Sequence, residues 1–135
     1  MAEVIQSPAV DVFTRWRKPI EAAIGKGNCS MEQSKTVAKT PFARLLFLGG
    51  PQYSTDLSGN ENATNISFQA ECFTSGSGAL TQVYNIDSVS HEAMVSMGFR
   101  RTYGPELIEN IDSAIKRTVS RYSRVYSGEL LDDKE

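Results

Sequence analysis

Thr118-Val119-Ser120-Arg121-Tyr122-Ser123-Arg124-Val125-Tyr126 is the stretch on which the fold turns. Its β-branched and aromatic residues favour a strand. Yet Ile108, Ile111, Ile115, Val119, Tyr122 and Val125 recur at helical steps. Period alone leaves both assignments open. The last third of the chain is either a further helix or the closing strand of a sheet.

The preceding segments are easier to read. Phe99-Arg100-Arg101-Thr102-Tyr103 looks like a strand stopped by Gly104-Pro105, with Phe99 and Tyr103 as core candidates at even spacing. Before it, Leu80, Val83, Tyr84, Asp87, Met94 and Met97 follow helical spacing, and Ile86, Val89 and Ala93 widen the apolar stripe. This predicts an amphipathic helix over 79–97, ended by Gly98 at a left-handed cap. Asn65–Thr74 alternates. Ile66, Phe68, Ala70 and Cys72 take one face, and Ser67, Gln69, Glu71 and Phe73 take the other, as in a half-buried strand. Phe42–Leu48 is short, apolar and closed by Gly49-Gly50-Pro51, which predicts another strand. Val12, Phe13, Trp16, Ile20, Ala23 and Ile24 define an N-terminal helix over 9–24, which Pro19 should kink or restart. Residues 25–40 and 52–64 read as loops, and 129–135 as an acidic tail expected to fray. The order implies one α+β domain over 1–135: a small, mainly antiparallel sheet with helices packed on one face.

Composition bounds the function. A chain of 135 residues suits one domain and needs no disulfide or metal to fold. A net charge of −2 offers no general basic field for nucleic acid. Cys29 and Cys72 stand far apart with no CxxC and no histidine pair, as expected of reduced thiols rather than a zinc site. No charged-then-apolar leader and no membrane-length apolar run is present, so synthesis and retention in a cytoplasm are expected. The N-x-S/T matches at Asn28, Asn62 and Asn65 then mark turn chemistry rather than glycosylation.

Candidate chemistry is sparse. His91 is the only histidine, and no nucleophile is paired with it in sequence, so a structural role on the polar side of its helix is expected. Glu106, Glu109 and Asp112 would share one helical ridge, but nothing completes a metal site there. Gly76-Ser77-Gly78 lacks the GK[ST] of a phosphate loop and reads as a turn. No cofactor, no metal and no enzymatic activity is expected. The uneven feature is charge. Arg100, Arg101, Lys116, Arg117, Arg121 and Arg124 stand against Glu106, Glu109 and Asp112. Arginine suits bidentate pairing with carboxylates across subunits, or phosphate contact. The same residues also fit an ordinary exposed face with internal pairs.

Met94-Val95-Ser96-Met97-Gly98-Phe99-Arg100-Arg101 carries a resemblance, together with Ile66–Phe73 and its Gln69 upstream and Arg117-Thr118-Val119-Ser120-Arg121-Tyr122 downstream. The three resemble the C-terminal half of the tail terminator (tail completion) proteins of long-tailed bacteriophages. There a strand with a Gln leads through a helix ending Met-x-x-x-Gly-Phe-Arg-Arg to a closing Arg-x-x-x-Arg-Tyr. The likeness covers roughly residues 41–126, and the first 40 correspond only as helix then loop.

The resemblance implies that 115–126 is a strand. It also implies a virion protein of the phage tail, made in the host cytoplasm. Six copies would ring and cap the tail tube, contacting the tube protein on one side and a head-completion or neck protein on the other. DNA would pass through without sequence-specific binding. A closed ring uses two different patches per copy. Arg100, Arg101, Glu106, Glu109, Arg117, Arg121 and Arg124 are the candidate subunit-interface residues. Arg101→Glu or Arg121→Glu is expected to leave the monomer folded and stop assembly. A head-completion or connector protein of the same neck is the nearest alternative. A small nucleic-acid-binding module is the alternative from another class.

Overall fold

A computed structural model describes residues 8–31, 40–49, 64–108 and 114–126. Of the expected loops over 25–40 and 52–64, residues 32–39 and 52–63 lie outside these, as do the acidic tail, Glu109 and Asp112. Where described, the two loops include strand residues, Cys29–Ser30 in the first and Thr64 in the second. Helix α1 spans Ala9–Ile24 and buries Val12, Phe13, Trp16 and Ile20, the stripe its spacing demands. It continues through Pro19 as one helix, without a restart. Pro19 is exposed, so water can take the carbonyl that its missing N–H leaves unpaired. Asn28 closes the far end, its Nδ2 donating to the Ile24 carbonyl at 2.6 Å.

The strands are β1 (Cys29–Ser30), β2 (Phe42–Gly49), β3 (Thr64–Ser75), β4 (Arg100–Ile108) and β5 (Ile115–Tyr126). They form one five-stranded sheet in the order β1-β2-β3-β5-β4, with β1 parallel to β2 and all other pairs antiparallel. The 115–126 segment is therefore a strand, and it holds the sheet together by pairing with both β3 and β4. The helical count failed because Thr118 and Ser120, polar residues at period two, are buried with Tyr122. The chain is thus α+β, with both helices on one face of a mainly antiparallel sheet.

Helix α2 spans Ala79–Ser96 and buries Val83, Ile86, Asp87, Ser90, Ala93 and Met94. Leu80 and Tyr84, which share its spacing, are exposed instead. Its end is a Schellman turn. The Phe99 N–H reaches the Met94 carbonyl at 3.0 Å and the Gly98 N–H the Val95 carbonyl at 2.9 Å, with Gly98 at φ +86°. The turn delivers the chain directly into β4 and places Phe99 in the core, edge-on to Phe68 at 5.5 Å. Trp16 joins the helices by donating its Nε1–H to Ser90 Oγ at 2.8 Å. Residues directly opposite in neighbouring strands share a face. Phe47, Phe68, Tyr122 and Arg101 thus form one row beneath the helices.

Three expectations need correction. First, Gly104-Pro105 does not stop the strand. β4 continues to Ile108 through register shifts between Arg101 and Tyr103 and between Tyr103 and Glu106. Proline is tolerated because β4 is an edge strand and the interruption is a bulge. This puts Glu106 on a strand rather than on the expected helical ridge. Second, Tyr103 is not core; it lies 40% exposed on the face away from the helices. Third, β3 is not half-buried along its length, because Glu71 and Phe73 on its second face are buried as well.

Candidate functional site

The helices cover one face of the sheet, and the polar residues of the other face form a ladder across four strands. Glu71 on β3 is 1% exposed. A buried carboxylate needs charged partners, and two arginines supply them. Arg44 Nε on β2 donates to Glu71 Oε1 at 2.6 Å, and Arg117 Nη2 on β5 donates to Oε2 at 3.2 Å. The Gln69 amide also donates to Oε2. Phe73 lies beneath both guanidiniums, 5.0 Å from Arg44 and 5.8 Å from Arg117, so both cations rest on its ring face. The ladder continues outward. Arg121 Nε donates to Gln69 Oε1 at 2.8 Å while its guanidinium stacks over Tyr103 of β4 at 5.1 Å. Glu71 is saturated with donors, whereas Arg121 and Tyr103 stand at the surface.

A second polar cluster lies under the helices. Asp87 of α2 is 3% exposed and accepts from Ser120 Oγ at 2.8 Å and from Arg101 Nη2 at 3.0 Å. Arg101 Nη2 also donates to the Tyr122 hydroxyl at 3.0 Å. His91 Nδ1 lies 3.2 Å from that hydroxyl, so the lone histidine is hydrogen-bonded and part-buried. Burial pushes the Tyr122 phenol up from its ordinary value of 10.0, opposed by the hydrogen bond from Arg101. Cys29 is pushed up from 9.0 to about 12 by burial and by the nearby Glu21 carboxylate. Burial also raises Cys72, more strongly. Neither thiol is poised as a nucleophile at neutral pH. Among the described residues, no group of three or more His, Cys, Asp or Glu side chains could hold a metal ion. Nor does any helix among them have the length and apolarity to cross a membrane.

The candidate interface residues divide between the two faces. Arg100, Glu106, Arg117 and Arg121 pair with Ser123, Val119, Phe73 and Gln69, which places them on the helix-free face. Arg101 and Arg124 lie on the helix side, opposite Tyr122 and Ile66. Arg124 Nη1 donates to the Met97 carbonyl and its guanidinium stacks on Phe99 at 5.9 Å, so it staples the helix end to the sheet. Arg101 and Arg117 are held in intramolecular ion pairs. Arg100, Glu106 and Arg121 are exposed. Charge reversal at Arg101 would therefore strike the fold as well as an interface.

Sequence reasoning missed Arg44, Gln69, Glu71 and Phe73 as one cluster. The usable signals were a charge inside the apolar run 42–48 and an acid two positions from Phe73 on one strand face. No protein-family model matches this chain, and no curated protein matches its sequence.

Proposed function

We propose that this chain is a structural subunit of a phage tail, a tail terminator that assembles into a ring, probed first as a hexamer. The observation that carries the reading is β5. The resemblance required 115–126 to be a strand, where the helical period of the same residues allowed a helix, and the segment pairs as a strand on both sides. The architecture supports it too. One face of the sheet is committed to the helices, while the other carries a rigid arginine-carboxylate ladder edged by exposed Arg100, Arg121 and Tyr103.

In this reading the chain works by contact rather than catalysis. One patch of each copy meets a different patch of the next, so the contacts close into a ring. The ring ends growth of the tail tube and presents its other side to the neck of the head. DNA passes through the lumen without base-specific contact. The protein then resides in the virion tail.

Native mass spectrometry over a wide concentration range, followed by addition to growing tail tubes, tests this. A hexamer that halts tube growth is the expected result. A dodecamer that ignores tubes would move the chain to the connector of the neck. A chain that neither associates nor caps tubes would overturn the assembly reading altogether.

A further inference from the structure

Where β4 begins and β5 ends, the sheet opens into a cleft of about 430 Å³ lined by Asn65, Gly98, Arg100, Ser123, Arg124 and Val125. Register explains the grouping. Arg100 lies opposite Ser123, and Asn65 opposite Val125, so their side chains share the helix-free face at one end of the sheet. Arg124 comes from the other face and reaches the same end, where it is fixed by the Met97 carbonyl beside Gly98. Two guanidiniums, an amide and a hydroxyl thus meet in one opening. Among the described residues no carboxylate lines it. Arg100 is exposed, and among the described residues it has no ion pair or hydrogen bond through its side chain.

Guanidiniums with amide and hydroxyl donors recognise carboxylates. The chain itself supplies them. Glu129, Asp132, Asp133 and Glu135 follow β5 within a few residues, offset only by Lys134. We infer that the cleft is the docking site for the acidic segment 129–135 of a neighbouring copy. The inference rests on the ring reading and names one of its contacts. The ring reading favours the neighbour. Within one copy, β5 runs past the cleft wall at Val125 and leaves it at Tyr126, while Arg100 sits opposite Ser123, three positions back. In the ring reading each copy offers its neighbour a patch unlike the one it receives, and the acidic segment and the cleft are such a pair. Such a contact joins two different patches, as a ring requires.

Two charge-reversed chains test the inference, Arg100→Glu and the pair Asp132→Lys with Asp133→Lys. Arg100 is exposed, and the aspartates follow β5 in sequence, outside the strands described, so circular dichroism should match the unaltered protein. Each variant alone is expected to raise the apparent dissociation constant for self-association at least tenfold. A 1:1 mixture of the two should recover it, because every cleft of one kind then meets a tail of opposite charge on the other. Native mass spectrometry should find equal numbers of both chains in the recovered species. If both variants associate like the unaltered protein, the inference is overturned while the ring reading stands. If each variant is impaired and the mixture is no better, the tail serves its own copy and the inference is overturned. An unaltered chain that stays monomeric also overturns it, and tube capping then decides the ring reading separately.

Discussion

Arg101 on the edge strand β4 and Asp87 on α2 meet at 3.0 Å, and this contact ties the outermost strand to the helical layer. Asp87 sits almost wholly buried, with its second oxygen held by Ser120 of the adjacent strand. Leaving one member of such a pair alone strands a charge in a poorly hydrated place. Asp87→Ala should therefore cost about 2–4 kcal/mol, a range set below the usual buried-pair figure because Arg101 is partly exposed. Urea unfolding at neutral pH measures it. A loss under about 1 kcal/mol would mean that the pair contributes no more than a surface bridge. Arg101→Glu should destabilise the monomer too, since it sets a second carboxylate against Asp87.

Gly104 is a point where β4 lies close against the β5 backbone. Its φ is +90°, and a Cβ there would lie 2.3 Å from the Val119 carbonyl oxygen and 3.0 Å from Ser120 Cα. Both obstacles are backbone, so neither can rotate aside. Gly104→Ala is expected to cost about 2–3 kcal/mol or to detach the second half of β4. Thermal unfolding and amide exchange at Glu106–Ile108 would reveal which. Unchanged melting and protection would remove the bulge geometry from the account.

Phe99 occupies the first core position after the Schellman turn, 3% exposed and edge-on to Phe68. Truncation to alanine should cost about 3–5 kcal/mol through lost burial and the cavity left behind. Denaturant midpoints read this directly. A value near zero would contradict the placement of Phe99 in the core.

Much of this fold is legible in the sequence because its apolar periods are clean. The stripe Val12, Phe13, Trp16 and Ile20 gives α1, and Ile66, Phe68, Ala70 and Cys72 give the inner face of β3. β5 is not legible by hydropathy. Its inner face reads Thr118, Ser120, Tyr122, and the last two are made buriable by partners on α2 and β4 that no local pattern announces. Gly104-Pro105 misleads for the opposite reason. Both residues break strands on average, yet an edge strand with a bulge accommodates them. The arginines of 100–124 are visible as a run, but which face each takes follows from the strand alternation of β4 and β5, which the helical reading of 108–125 would have replaced. The partners Arg44 and Glu71 are far apart in sequence and meet only because β2 pairs with β3.

The half-buried Cys29, the buried Cys72 and Tyr122 make stability sensitive to alkali. Cys29 rises from 9.0 to about 12 in the native state, and Cys72 and Tyr122 also move upward. Above pH 9 the unfolded chain loses its thiol protons first, while the native state keeps them. The native state then binds more protons, and stability must fall as pH rises from about 9 towards 12. Urea midpoints at pH 8.0 and 10.5 should show the drop, and Cys72→Ala should lessen it. Parallel slopes for both proteins would assign the alkaline loss to other groups.

Arg121 separates folding from assembly better than any other candidate. Its guanidinium is exposed, held by one hydrogen bond to Gln69 and by the face of Tyr103. Exposed contacts of this kind contribute little, so Arg121→Glu should change monomer stability by no more than about 1 kcal/mol. A ring built through this face would lose an attractive charge at each repeated contact and gain a repulsive one. The variant is therefore expected to melt like the unaltered protein yet remain monomeric where that protein forms rings, as read by sedimentation velocity. Arg121→Lys retains the charge without the planar fork. It should assemble with intermediate affinity if the contact is bidentate, and fully if only charge matters. Normal rings from Arg121→Glu would take the helix-free face out of the interface and shift attention to the surface of α2, where Leu80, Tyr84 and Val95 are exposed.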